Sequence, residues 1–198
     1  MKLILVTGAT GFLGKHLVGQ LELAERGARL RLLCRGPSPW DGDPAVEVVR
    51  GDIASAADVL RAAQGVEEIY HLAGLVSRNP AEKQRLWRVH IEGTRNVCDA
   101  SRTHAVRKIV VVSSSGTIAD SREPVVHDET AGYKNDIVGG WPYYLSKIFA
   151  EKLAFSYVEQ WQLPIVVVNP TLLLGPGDDR RSSTGDVALF LDGQILAV

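Results

Sequence analysis

The sequence predicts an α/β protein: a doubly wound parallel sheet in three layers, with helices on both faces. Two observations carry this. Apolar runs of strand length alternate with helix-period segments along almost all of the 198 residues, with no long low-complexity linker and no internal repeat between them. And the first apolar run, Leu3-Ile4-Leu5-Val6, feeds directly into Thr7-Gly8-Ala9-Thr10-Gly11-Phe12-Leu13-Gly14. There glycines spaced by three suit a tight exit from a strand, a close approach of phosphate to backbone and a helix packed closely on the sheet. The free amides at that helix's N-terminus face an anion.

Taken in order, the first strand spans 2–6, and the helix after the glycine loop carries Leu13, Leu17, Val18 and Leu21 on one stripe before Arg26-Gly27 closes it. The second strand, 29–34, ends at Arg35 and is stopped by Gly36-Pro37-Ser38-Pro39. The third, 46–49, leads through Gly51-Asp52-Ile53 to a helix capped by Ser55, with Val59, Leu60 and Ala63 inward. The fourth, 68–72, breaks at Ala73-Gly74 and is followed by one long helix over 81–104. That helix has apolar positions on more than one side, which suits packing on the sheet and on a second copy of the chain. The fifth strand, 108–112, ends in Ser113-Ser114-Ser115-Gly116, and the stretch 117–140 reads as the longest loop. Trp141-Pro142 opens a helix to about residue 161, the sixth strand is 164–168, and a short apolar helix lies near 187–191. We read 1–198 as one domain, with 170–198 as the start of a substrate-binding segment that is cut short.

A net charge of −1 supplies no positive excess for a nucleic acid or an anionic membrane surface. No apolar run reaches membrane-span length, so the expected location is the cytoplasm. Cys34 and Cys98 are read as two reduced, buried thiols, and the five histidines lack the paired spacing of a metal site, so no metal is expected.

In such sheets ligands bind outside the carboxyl ends of the strands. Arg35 stands where an acidic residue would hold the ribose 2′-hydroxyl of NAD, and a guanidinium there suits the 2′-phosphate of NADP; a solvated strand-end arginine is the plain alternative. Asp52 suits the adenine amino group or, equally, its own turn. Tyr143 and Lys147, four residues apart, share one helix face. A phenol titrates near pH 10, and an adjacent ammonium would bring it toward neutrality, while Ser115 would hold the substrate oxygen. Gly-x-Ser-x-Gly is absent, and Arg180-Arg181 reads as a solvated pair or a contact to a phosphorylated substrate.

These residues together resemble the extended short-chain dehydrogenases/reductases, the NAD(P)-dependent epimerase/dehydratase family with a Rossmann-type fold. The glycine stretch is similar to its cofactor loop, Gly51-Asp52-Ile53 to its adenine contact, and His71-Leu72-Ala73-Gly74 to its fourth-strand ending. Ser113-Ser114-Ser115 resembles its catalytic serine segment, Tyr143-Tyr144-Leu145-Ser146-Lys147 its active-site helix, and Asn169-Pro170-Thr171 with Gly175-Pro176-Gly177 its sixth-strand loop. The resemblance implies cofactor contacts at Thr7, Gly8, Thr10, Gly11, Phe12, Leu13, Gly14, Arg35, Asp52, Ile53, Leu72, Ala73, Gly74, Tyr143, Lys147, Pro170 and Thr171, and catalysis by Ser115, Tyr143 and Lys147.

Trp141-Pro142-Tyr143-Tyr144 and Arg35 are most similar to the dihydroflavonol-reductase-like branch. That implies NADP-dependent reduction of a ketone or aldehyde, with NAD as the other cofactor and a homodimer as the assembly. A nucleotide-sugar epimerase/dehydratase and a non-catalytic NAD(P)-binding module are the alternatives. His90 departs from the asparagine that commonly follows valine in the family, and the family's substrate-binding lobe is missing or truncated at Val198.

Overall fold

A computed structural model describes residues 1–25, 27–179, 181 and 183–194. Arg26, expected to help close the first helix, and Arg180 of the arginine pair lie outside the described residues. Six strands form one sheet: β1 (Leu3–Thr7), β2 (Arg29–Cys34), β3 (Val46–Arg50), β4 (Glu68–His71), β5 (Lys108–Val112) and β6 (Ile165–Val168). Their order is β3-β2-β1-β4-β5-β6 and every neighbouring pair is parallel. The winding reverses between β1 and β4, paired from Ile4 with Glu68 to Thr7 with His71, so a crevice opens where those two strands end.

The helices are α1 (Phe12–Ala24), α2 (Ala56–Ala62), α3 (Lys83–Trp87), α4 (Gly93–Thr103), α5 (Asn135–Val138), α6 (Pro142–Trp161) and α7 (Thr184–Leu191). Alternation along each strand sends side chains to opposite faces and so makes two cores. Ile4 and Val6 pack with Leu30, Leu32, Val18 and Leu21 under α1. Leu5 points the other way and joins Ile69, Ile109, Val111, Val59, Val97, Cys98 and Tyr157 under α2, α4 and α6. Both cysteines are free and buried. Burial pushes the Cys98 thiol up to about 12 and also raises that of Cys34.

Ser55 caps α2 by accepting from the Asp58 N–H at 3.3 Å. Proline at the first helical position starts α6, and Gln162 ends it in a left-handed conformation (φ 54°). The helix expected as one piece over 81–104 occupies that span with an interruption. A 3₁₀ turn at Pro80–Glu82 leads into α3, and a π turn at Arg88–Glu92 separates α3 from α4. Such turns turn side chains out of the regular helical register. The long loop holds one 3₁₀ turn at Glu129–Ala131 and the four-residue α5. After β6 the chain folds back over the start of α1. The Lys15 Nζ donates to Asp179 Oδ2 at 2.7 Å, His16 Nε2 lies 2.9 Å from the Pro176 carbonyl oxygen, and Arg78 pairs with Asp186 on α7 through both nitrogens.

Candidate functional site

The crevice is built by the glycine loop. Gly8 has φ +76°, which a side chain would strain, and a Cβ there would lie 2.6 Å from the Ala73 amide nitrogen at the end of β4. At Gly14 a Cβ would be driven into the Gly8 carbonyl oxygen and to 2.8 Å from the Ala9 Cα. Backbone therefore meets backbone on both sides, and the loop leaves a cleft, open to solvent, at the carboxyl ends of β1, β2 and β4. Thr7, Gly8, Thr10, Gly11, Arg35, Ile53, Leu72, Ala73 and Gly74, all expected cofactor contacts, line it. Phe12, Leu13, Gly14, Asp52, Tyr143, Lys147, Pro170 and Thr171 are not among its lining residues.

Gly14 acts through packing. Asp52 serves its own turn, with Oδ1 accepting from the Ala54 N–H at 3.0 Å and Oδ2 lying 3.9 Å from an Arg88 nitrogen. Pro170 accepts from the Ser115 N–H at 2.9 Å and so ties the end of β6 to the turn after β5. Gly51, in the stretch expected at the adenine, also lines the cleft, and so do Leu33, Cys34, Leu75, Arg85 and Val89, which were not foreseen. Arg85 and Val89, four residues apart on α3 and the following π turn, carried a face signal in their spacing alone. The cleft is lined by backbone of the glycine loop and by two arginines, Arg35 and Arg85.

Tyr143 and Lys147 lie in the first turns of α6. Lys147 is buried, and its Nζ donates to the Val112 carbonyl oxygen at 2.9 Å, at the last residue of β5. Burial lowers its pKa to about 8, opposed by the charge of Glu151 one turn further on. Glu151 is itself buried and holds Asn169, whose Nδ2 lies 2.8 Å from Oε1. The same Nδ2 is 3.2 Å from the Ser114 carbonyl oxygen, so Asn169 locks the serine segment to α6. Neither Glu151 nor Asn169 was singled out as a site residue, although Glu151 stands four residues after Lys147.

Burial raises the pKa of the Tyr143 phenol, and a hydrogen bond with the Ser114 side chain acts against it. Lys147 Nζ is turned to the Val112 carbonyl oxygen. Ser114 caps the 3₁₀ turn Ser115–Thr117, its Oγ accepting from the Gly116 N–H at 3.3 Å. Tyr144 lies over Gly116, where any Cβ would enter its ring, and stacks on Trp141 with centroids 5.5 Å apart.

A line of buried polar groups joins this corner to the cleft. The Leu75 N–H donates to His90 Nε2 at 3.1 Å, and His90 Nδ1 lies 2.7 Å from Ser146 Oγ, which donates to the Tyr143 carbonyl oxygen at 2.7 Å. His71, at the end of β4, has Nδ1 2.8 Å from Thr7 Oγ1 and Nε2 3.3 Å from Thr94 Oγ1. Burial, then the charge of Lys147, lowers His71 to about 3; burial, then Lys147 and His71, holds His90 well below the usual histidine range. No group of three or more His, Cys, Asp or Glu side chains suited to a metal occurs among the described residues, and no described helix is long and apolar enough to cross a membrane.

A 3-beta-hydroxysteroid dehydrogenase of Mycolicibacterium neoaurum is 31% identical over 184 residues, covering 88% of this chain and 48% of that protein. A dihydroflavonol 4-reductase of Zea mays is 31% identical over 193 residues, covering 87% of this chain and 53% of that one. The crystal structure of a Thermus thermophilus UDP-glucose 4-epimerase, a complex with NAD, superposes with a TM-score of 0.80 at 26% identity, over 95% of this chain and 61% of the other. The chain thus spans about half the length of the curated relatives it matches. The family model described as NAD dependent epimerase/dehydratase family matches residues 4–194, and with the sheet order and the glycine cradle this places the chain in that family.

Proposed function

We propose that the protein is an oxidoreductase that uses NADP to reduce a ketone or aldehyde of a small organic substrate. The observation that carries this reading is the convergence of Ser114, Tyr143 and Lys147 at the end of β5, beside the glycine cleft. When bound, the cofactor supplies the hydride. The chain's residues do the rest. Thr7, Gly8, Thr10 and Gly11 present backbone and hydroxyl groups to the phosphates, and Arg35 receives a 2′-phosphate.

Tyr143 donates a proton to the carbonyl oxygen as that oxygen gains charge, and Ser114 holds the same oxygen in place. Ser115, one residue on, contributes its N–H to Pro170 and shapes the turn. Lys147 keeps a positive charge beside the developing phenolate and binds the cofactor ribose.

The reading is tested by incubating purified protein with NADPH and a panel of ketones, aldehydes and nucleotide sugars, following NADPH absorbance. Consumption with a simple ketone or aldehyde supports it. Conversion of a nucleotide sugar without net consumption would favour an epimerase/dehydratase, a reading the family and its NAD-bound epimerase relative keep in view. Binding without any turnover would favour a non-catalytic module. Phe149, Phe155 and Trp161 are exposed on α6, and pairing of two copies through this helix would cover them. Sedimentation showing only monomer at micromolar concentration would remove that part.

A further inference from the structure

His90 makes contacts that the proposed chemistry does not use. It is 2% exposed and sits in the middle of the π turn, and its two ring nitrogens reach two separate segments, Leu75 after β4 and Ser146 on α6. On one side Nε2 accepts the Leu75 N–H, fixing the peptide after Gly74; Ala73, Gly74 and Leu75 all line the cofactor cleft. On the other side Nδ1 faces Ser146, whose hydroxyl proton is committed to the Tyr143 carbonyl oxygen. A ring nitrogen that accepts an N–H cannot also carry a proton, so the imidazole is neutral with its hydrogen on Nδ1, which donates to Ser146.

The His90 backbone carbonyl oxygen accepts from Thr94 Oγ1, four residues on in α4, at 2.6 Å. Each bond in this line has one permitted direction. The groups that face the ring are the Lys147 ammonium, the neutral His71 imidazole and the Tyr143 ring, whose centroid is 5.7 Å away in an edge-to-face arrangement. A Cβ added at Gly74 would touch His90 Nε2 at 3.5 Å and Lys147 Nζ at 3.6 Å, which shows how closely the loop, the histidine and the lysine are gathered.

We infer that His90 is a positioning residue. As the neutral Nδ1–H tautomer it couples the cofactor-facing loop 73–75 to the first turn of α6, so that seating the dinucleotide and placing Tyr143 become one event. The inference rests on the dinucleotide reading of the cleft, and its test separates the two. In ¹⁵N-labelled protein, long-range ¹H–¹⁵N spectra are expected to show His90 as the Nδ1–H tautomer, still unprotonated below the usual histidine range, with resonances that shift when NADPH is added.

NADPH binding, read by tryptophan quenching, should weaken at least about tenfold in His90→Leu, the consequence of losing two buried hydrogen bonds. His90→Asn keeps a donor and an acceptor and should stay within about threefold of the unaltered protein. An Nε2–H tautomer, ordinary titration near pH 6.5, or equal NADPH affinity in His90→Leu overturns the inference while leaving the cleft's reading intact. Failure of the unaltered chain to bind NADPH or NADH overturns both. Should His90→Leu fail to fold, the tautomer and its response to NADPH decide the matter.

Discussion

The Lys147 Nζ donates to the Val112 carbonyl oxygen at 2.9 Å, which fastens the second turn of α6 to the end of β5 and holds an ammonium out of water. The cost of that burial shows in its pKa, lowered from 10.5 to about 8. The folded chain gives up this proton before the unfolded chain does. Between pH 8 and 10.5 the unfolded state therefore binds more protons, and stability rises with pH as the penalty of the buried charge disappears. The full difference corresponds to roughly 3 kcal/mol. Denaturant unfolding of Lys147→Met and the unaltered protein should show the variant's relative advantage shrinking by that order from pH 7 to pH 10. Tyrosines that titrate above pH 10 affect both proteins alike, so parallel curves would contradict the buried, charged lysine.

Gly14 supports the cleft from beneath. Its missing Cβ lets α1 start against Gly8 and Ala9, and alanine would push backbone against backbone with no flexible side chain to yield. Gly14→Ala should destabilise the fold by about 1–3 kcal/mol, the usual range for overpacking, and reduce NADPH affinity more than any loss of secondary structure explains. Thermal unfolding and fluorescence titration together check this; unchanged values in both would show that the loop relaxes freely.

The choice between adjacent serines separates local sequence from local geometry. Ser114→Ala should lower turnover about a hundredfold, the order seen on loss of one donor to a developing oxyanion, with NADPH affinity kept. Ser115→Ala should cost far less, since Ser115 holds Pro170, Ile118 and Ala119 through its backbone N–H and carbonyl, which alanine keeps. The reverse order in steady-state rates would assign the substrate oxygen to Ser115 instead.

Much of this architecture was legible because the strands announce themselves. Runs such as Lys108–Val112 are continuous, β-branched and closed by residues that turn, so the six strands and the crevice between Thr7 and Ala73 follow from pattern alone. Tyr143 and Lys147 were legible for the same reason, since helical spacing fixes a shared face. The turn Ser115–Thr117 was not, because it depends on the Ser115 amide meeting Pro170, a residue far along the chain. Asp52 offered two readings, its own turn and an adenine contact, and the bond from the Ala54 N–H shows the first. His90 was visible as an oddity, yet its partners come from 15 residues before and 56 after it, and no local pattern brings Leu75 and Ser146 together.

Arg35 lines the cleft at the end of β2, where a 2′-phosphate would meet it. Arg35→Ala should weaken NADPH by about tenfold or more and NADH by little, as loss of a charge-assisted contact requires. Competitive titration of the two cofactors reads the ratio directly. Equal losses would move the 2′-phosphate contact elsewhere, and Arg85 on the same cleft is then the next residue to alter.

Tyr143→Phe tests the central claim most directly, because it removes one oxygen atom and leaves the ring in place. With a ketone or aldehyde that the unaltered protein reduces, the variant should bind NADPH as before and lose nearly all NADPH consumption. Turnover preserved in Tyr143→Phe would contradict the account, since no proton would then pass through that phenol.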